Sequence, residues 1–295
     1  MATTIREQKS DAALPGGRHA RPPLFLRIFA AIVLLAGCYA LFIEPYWIQV
    51  TYSDMHGDVT APLKIAHLSD LHIVGMGRRE RRLLEILDQE KPDVIVMTGD
   101  SIGQWVGAYG HSGDYSKAKK LYQYLHAPLG VWFVRGNWEN AKPVPNEQAF
   151  YQSAGVHLLV NSGAALRPDV WIAGLDDPRS GIPNVASALA GAPANAYTIL
   201  LFHSPAYFGH VEGRVKLCLT GHTHGGQVRL PFVQPFWLPG GSWPYVEGWY
   251  EGKGSKMYVS RGLGTSILPI RFLCRPEVSF VTIHPSENLS LPAAQ

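Results

Sequence analysis

Charged side chains are scarce in this chain. Asp, Glu, Lys and Arg make up 17% of its 295 residues, against about a quarter in an average soluble domain. The net charge of +3 is local: Arg6, Lys9, Arg18, Arg21 and Arg27 against Glu7 and Asp11 account for it, so the remainder is neutral. A neutral body excludes a general nucleic-acid-binding surface, which needs a basic face to meet phosphates. Cysteine is scarcer still. Cys38, Cys218 and Cys274 are too few for a disulfide framework, and the apolar runs around Cys218 and Cys274 read each as a small buried hydrophobe. Internal repeats and low-complexity tracts are missing as well. What remains, with 46% hydrophobic residues, is enough to bury a large core: one globular domain plus an appendage.

The appendage is the run LFLRIFAAIVLLAGCYALFI from Leu24 to Ile43, apolar apart from Arg27. About 20 helical residues at roughly 1.5 Å each match the roughly 30 Å hydrocarbon core of a bilayer, so the segment is read as one membrane span. A core helix would show a polar face, and a cleaved signal peptide would not continue its apolar character into EPYW. LAGC, ending at Cys38, also fits a lipid-attachment signal, against which the greasy stretch Tyr39 to Ile43 argues. Arg18, Arg21 and Arg27 precede the span and no Lys or Arg follows until Lys64. The positive-inside bias therefore places the N-terminus in the cytoplasm and the domain outside; a segment lying in the interface would leave the domain cytoplasmic.

After a connector from Glu44 to Pro62, with a strand at Trp47 to Tyr52, strand and helix signals alternate. β-rich runs fall at Leu63 to Leu68, Asp93 to Thr98, Val131 to Arg135, Val170 to Ala173, Thr198 to Phe202 and Val215 to Thr220, with helical stretches at Arg79 to Glu90 and Tyr115 to His126. This alternation predicts an α/β protein. Pro231 to Gly254, rich in Gly, Pro and aromatics, reads as a long structured loop. The expected organisation is a basic tail (1–23), a transmembrane anchor (24–43), a connector (44–62), a catalytic domain (63–285) and a C-terminal tail (286–295).

Several runs end in polar residues beside glycine. SDLH brings Asp70 and His72, TGD brings Asp100, RGN brings Asn137, LLFHSP brings His203, and LTGHTHGGQ brings His222 and His224. In extended backbone, residues two apart project to the same side. An Asp after a strand is commonly a helix cap, and one His before Ser-Pro is commonly structural. Carboxylate, imidazole and amide groups delivered together at strand ends are what a binuclear metal site needs.

The blocks D-x-H, GD, GN, H and GHTH resemble the calcineurin-like metallophosphoesterase superfamily, and GHTHGGQVRLP followed by YVSRGLGTSILPIRFLCRPEV resembles its membrane-associated bacterial phosphodiesterase branch. The likeness spans Leu63 to His284. It implies a four-layer αββα sandwich in which Asp70, His72 and His224 hold one metal, Asn137, His203 and His222 hold the other, and Asp100 bridges them. Two divalent ions about 3.5–4 Å apart need an anion between them, and a water they share loses its proton near neutral pH, giving a nucleophile for in-line attack on phosphorus. Asp100 and Asn137 are thus the expected catalytic residues. Mixed N/O ligands suit Mn²⁺, Fe or Zn²⁺, with Mn²⁺ the first expectation.

In the family pattern the residue after GN is usually His, a proton donor; here it is Trp138. Indole donates one hydrogen bond and is no general acid. Three readings stay open: a bond with a good leaving group such as a phosphoanhydride, another donor among Glu139, His111 and His210, or a metal site that turns over poorly. Some UDP-2,3-diacylglucosamine pyrophosphatases of lipid A biosynthesis, members of this superfamily, also lack that His, and their acylated substrate suits an inner-membrane anchor. That substrate is made on the cytoplasmic face; an outward domain would instead suit a phosphodiesterase acting on lipid headgroups or on general phosphodiesters. Trp237, Trp243, Tyr245, Trp249 and Tyr250 either pack the long loop or meet a lipid or nucleoside. Trp138, Glu139, Arg261 and Arg271 are candidate substrate contacts, with buttressing of the fold the other reading of the two arginines. A non-catalytic metal-binding scaffold is the competing class.

Overall fold

The computed structural model describes residues 23–103 and 114–286. The expected tails at 1–23 and 286–295 fall almost wholly outside them. The chain divides into two compact units, Met1–Gly37 and Cys38–Gln295. Helix α1 (Leu24–Phe42) has 19 residues, about 28 Å at the helical rise, and is apolar and long enough to cross a membrane.

In the second unit, β1 (Gln49–Gly57), β2 (Leu63–Leu68), β3 (Val94–Thr98), β4 (Val131–Val134), β5 (Val156–Leu158) and β12 (Glu277–Pro285) form one six-stranded sheet. A second holds β6 (Ser162–Arg167), β7 (Val170–Gly174), β8 (Tyr197–Leu201), β9 (Leu217–Thr220), β10 (Gly248–Gly252) and β11 (Ser255–Val259). Their orders are β1-β12-β2-β3-β4-β5 and β10-β11-β9-β8-β7-β6. The strands from β2 to β5 run parallel, as do β7, β8, β9 and β11.

Alternation along the strands separates three cores. Leu63, Ile65, Val94, Val96, Ile172, Ile199, Leu201 and Leu217 meet between the sheets. Ala66, Leu68, Ile95 and Met97, one residue out of step, face α2 (Arg78–Glu90) and α3 (Tyr115–Tyr122), which contribute Leu83, Ile86 and Leu121 to the same cluster. Trp171, Ala173, Leu200 and Cys218 face outward from the second sheet onto α6 (Val185–Leu189), through Val185 and Ala188. Because side chains alternate faces with period two, every central strand is apolar on both sides. This is the expected four-layer αββα sandwich.

Three boundaries differ from expectation. The connector carries the expected strand, but it is longer and built into the sheet: β1 pairs in parallel with β12 over its whole length, and the carboxylate of Glu44, wholly buried, accepts the backbone N–H groups of Leu273 (2.8 Å) and Cys274. The domain therefore begins before Leu63. The aromatic segment also ends in a strand, since β10 forms a hairpin with β11; Tyr245 and Tyr250 pack on the third core. The second helical stretch stops at Tyr122, earlier than expected, where turns take over. Replacing Glu44→Ala would leave the buried Cys274 N–H and the part-buried Leu273 N–H without an acceptor, the buried one costing about 1–3 kcal/mol and the other less. Chemical denaturation should show roughly 2–4 kcal/mol lost, and no change would mean that this segment is dispensable.

Candidate metal centre

Parallel strands deliver their carboxyl ends to one edge, where open α/β sheets place their ligands. Asp70 and His72 follow β2, Asp100 follows β3, and Asn137 follows β4 at the start of α4 (Asn137–Ala141). From the other sheet, His203 follows β8 and His222 and His224 follow β9. The chain turns sharply at these points. Asp70, His72, Asp100, His222 and His224 all have left-handed φ, between 41° and 72°, a conformation costing a non-glycine residue of order 1 kcal/mol or more. Extended backbone is therefore not what aligns Asp70 with His72. The turns are held by pairing between the two strand ends: Asp70 N–H donates to Gly99 O (3.0 Å), His72 N–H to Asp100 O (3.0 Å) and Ile73 N–H to Ser101 O (2.8 Å). Glycine is required at two neighbouring positions. A Cβ at Gly136 would lie 2.2 Å from Asp100 Oδ1, and one at Gly221 would lie 1.8 Å from Ser69 Oγ.

The side chains so delivered form two clusters, Asp70–His72–His224 and Asp100–His203–His222, each with ligand atoms within 4.8 Å of one another and all buried. In the first, His72 Nε2 and His224 Nε2 are 3.2 Å apart and His224 Nε2 lies 3.3 Å from Asp70 Oδ1. In the second, His203 Nε2 lies 3.2 Å from Asp100 Oδ2 and 3.0 Å from His222 Nδ1. Asp100 Oδ2 also stands 3.9 Å from His72 Nε2 of the first cluster, between the two groups. Asn137 Oδ1 is buried without a hydrogen-bond partner, as are Asp70 Oδ1 and His222 Nε2.

Supporting contacts fix which atoms stay available. His203 Nδ1–H donates to Thr98 O (2.7 Å), leaving the Nε2 lone pair for the cluster, as a metal-binding imidazole requires. Asp70 Oδ2 accepts from Ser69 Oγ (2.7 Å) and His222 N–H (2.9 Å), and Asp100 Oδ1 accepts from Trp138 N–H (2.9 Å). Each carboxylate thus has one oxygen tied to the protein and one turned toward the clusters. Burial lowers His72 to about 4 and His222 to about 3, and pushes His224 well below its usual value. Those rings are neutral at pH 7 and offer lone pairs. His203 behaves oppositely: burial disfavours its charge, but Asp100 and Asp70 outweigh this and raise it well above the ordinary imidazole value. Burial raises Asp70 to about 6, while His203 overcomes the same penalty at Asp100 and lowers it. Nitrogen and oxygen donors with no thiolate, several of them buried and unpaired, fit a pair of divalent cations.

The remaining expected site residues are placed differently. Glu139 is buried, with Oε2 accepting from Gly136 N–H (2.8 Å) and Asp100 N–H (2.9 Å) and Oε1 from Ser101 N–H (2.9 Å). Burial, with Asp100 adding to it, pushes its carboxyl up to about 7; both oxygens face backbone donors, so it organises the turns. Arg271, wholly buried, gives its guanidinium to the carbonyls of Gly264, Cys274, Arg261 and Gly262. Arg261 is tied to Glu277 and Glu247. Of the two readings, these contacts are the buttressing ones: the Arg271 guanidinium is spent on backbone carbonyls and that of Arg261 on two carboxylates. His210 is exposed and lies against Tyr207, and His111 falls outside the described residues. The Trp138 indole packs on the first core and meets the His72 ring edge-on, with centroids 6.2 Å apart. Trp249 donates to Ser53 Oγ (3.0 Å), while Trp237 and Trp243 are exposed. Ser69, Thr98 and the backbone role of Glu139 were not anticipated; the first two sit inside the motif blocks SDLH and TGD.

Comparison with known proteins agrees with this geometry. A family model described as calcineurin-like phosphoesterase matches residues 63–226. The chain is 32% identical over 257 residues to an uncharacterized metallophosphoesterase, YkuE, of Bacillus subtilis, covering 83% of this chain and 88% of the relative. It is 27% identical over 278 residues to the phosphodiesterase YaeI of Escherichia coli, covering 88% and 97%. A zebrafish (Danio rerio) transmembrane protein with a metallophosphoesterase domain is 30% identical over 243 residues, covering 75% of this chain and 53% of the relative. With its strand-end histidines and carboxylates gathered into two adjoining clusters, this chain belongs to the calcineurin-like phosphoesterase family and is a metal-dependent phosphohydrolase.

Proposed function

We propose that this chain hydrolyses a phosphodiester or pyrophosphate bond in a membrane-associated substrate, using two divalent cations held by Asp70, His72, His203, His222, His224 and Asn137 and bridged by Asp100. The observation that carries the reading is the position of Asp100 Oδ2 between the clusters, 3.2 Å from one histidine and 3.9 Å from another. When bound, such cations supply Lewis acidity and lower the pKa of coordinated water. The chain's own residues do the rest. Asp100 places negative charge where two positive ions would otherwise repel, and Trp138 N–H fixes its other oxygen. Thr98 O orients His203 and Ser69 Oγ orients Asp70. Asn137, whose Oδ1 is buried without a hydrogen-bond partner, holds both ligand and catalytic roles in this reading. Mn²⁺ is the first metal to supply, with Fe and Zn²⁺ as the alternatives.

Trp138 narrows the reaction. With an indole where the family pattern puts a proton donor, Glu139 turned to backbone N–H groups and His210 exposed, this reading favours a bond whose leaving group departs without protonation. A pyrophosphate such as that of a UDP-linked diacylated sugar meets this condition. A general or lipid-headgroup phosphodiester is the second reading; similarity to the phosphodiesterase YaeI, which aligns over nearly its whole length, supports phosphodiester cleavage without choosing between the two.

Metal-reconstituted protein should cleave bis-(p-nitrophenyl) phosphate, and Asp100→Ala should cut that rate by about 10³-fold or more, on the scale of losing a principal electrostatic element, while lowering the bound metal measured by mass spectrometry. Unchanged metal content together with unchanged activity would remove the reading. Exchanging Trp138→His should raise turnover on esters with poor leaving groups by about 10²-fold, the lower range for a positioned general acid, and raise anhydride turnover much less. Equal gains on both would remove the argument for a good leaving group. Because His203 is raised by its two carboxylates, its proton must leave when Nε2 takes a metal. Titrating Mn²⁺ into weakly buffered protein at pH 7 should release about one proton per chain, and affinity should fall as pH drops; loading without proton release would contradict this charge arrangement.

A further inference from the structure

Two loops leave the metal centre and end in apolar tips. Leu230–Trp237 begins a few residues beyond His224, and Thr265–Leu273 begins just beyond Gly264, whose N–H donates to Asp70 O. They are joined to each other. Gln227 donates through Nε2 to Ser266 O and Leu268 O (both 3.1 Å), Val228 bridges Phe272, and Leu273 lines one cleft with residues 229–234. Neither loop contains an acidic residue. Their tips are bulky and exposed: Phe232, Phe236, Ile267, Leu268 and Leu273 all face solvent. Three of these, Phe232, Ile267 and Leu273, hold left-handed φ of 64°, 66° and 51°. Such a conformation is unfavourable for large side chains, so the backbone is strained to hold these residues out where water would disfavour them. Exposed strain of this kind marks a surface with a partner.

The partner is indicated by what else lies on the strip. The last turn of α1 docks there: Arg271 N–H donates to Ala40 O (3.0 Å) and Tyr39 meets Phe272 edge-on at 6.3 Å. Immediately after it come Tyr46 and Trp47, exposed aromatics each covered by a guanidinium, Arg78 at 4.7 Å and Arg275 at 4.1 Å. Aromatic rings beside arginine, at the end of a helix of membrane-spanning length, are the composition of a bilayer's headgroup layer.

We propose that Leu230–Trp237 and Thr265–Leu273 form a membrane-docking surface that seats in the headgroup layer around the exit of α1. The metal centre, which these loops adjoin, then receives phosphate groups carried by acylated molecules in that layer. The substrate half of this proposal rests on the function proposed above; the docking half does not.

Both halves are tested with the full-length chain in vesicles of phosphatidylethanolamine and phosphatidylglycerol. In a Cys38→Ser background, an environment-sensitive fluorophore is attached at Phe232→Cys or, as control, at the exposed Ile182→Cys. Acyl-brominated lipids should quench the label at 232 and leave that at 182 unaffected. The triple replacement Phe232→Ser, Phe236→Ser, Leu273→Ser should slow hydrolysis of a vesicle-embedded acylated phosphodiester or pyrophosphate about tenfold or more, the factor that burying even one such side chain is worth. Bis-(p-nitrophenyl) phosphate turnover should stay as it was. Equal quenching at both positions, none at 232, or a 232–232 crosslink showing a second copy on the strip would overturn docking. An equal loss on both substrates would overturn the link to lipid-borne phosphate. If the unaltered chain cleaves neither substrate, the proposed function fails and the quenching result still decides the docking.

Discussion

Charge repulsion is the constraint around which this centre is built. Any two divalent cations held by histidines a few ångströms apart repel strongly in a buried setting, and the chain meets this with carboxylate oxygens placed among the rings. Asp100 Oδ2 stands between the clusters and Asp70 Oδ1 turns to the same space, 4.0 Å from His203 Nε2. In the chain alone these two carboxylates hold a proton on His203 instead, so the positive charge they need is present in either case. The other three rings stay neutral because burial outweighs attraction.

Placing those oxygens requires an unusual backbone. The two sheets are regular, packed through three apolar layers, and stable enough to carry strain at their carboxyl edge. That edge is where five ligand residues take left-handed φ and where Glu139 gathers the N–H groups of the turns after β3 and β4. Arg271 does the same with carbonyls on the opposite flank. These two buried side chains, Glu139 and Arg271, brace the backbone of the site. Each satisfies several backbone groups that would otherwise be buried and unpaired.

What could be read from the sequence follows the same division. Strands β2 and β3, apolar on both faces, announced themselves as short continuous runs, and Asp70, His72, Asp100, Asn137, His203, His222 and His224 stood just beyond such runs, some of them next to glycines whose necessity is now visible at Gly136 and Gly221. The edge strands β1 and β10, and β12 between β1 and β2, were harder, since β1 and β12 pair across more than 200 residues and no local pattern encodes a partner so distant. The backbone partners of Glu139 and Arg271 were out of reach for a related reason: a charge in a motif does not reveal its hydrogen bonds until the turns around it are known. The left-handed turns were invisible because spacing alone suggested extended backbone.

The account depends on two metals communicating through one carboxylate, and electron paramagnetic resonance of the manganese-loaded protein addresses that directly. Two Mn²⁺ ions sharing Asp100 should give an exchange-coupled multiline spectrum that collapses to uncoupled signals in Asp100→Asn. A spectrum of isolated Mn²⁺ from the unaltered chain at saturating metal would contradict the shared centre.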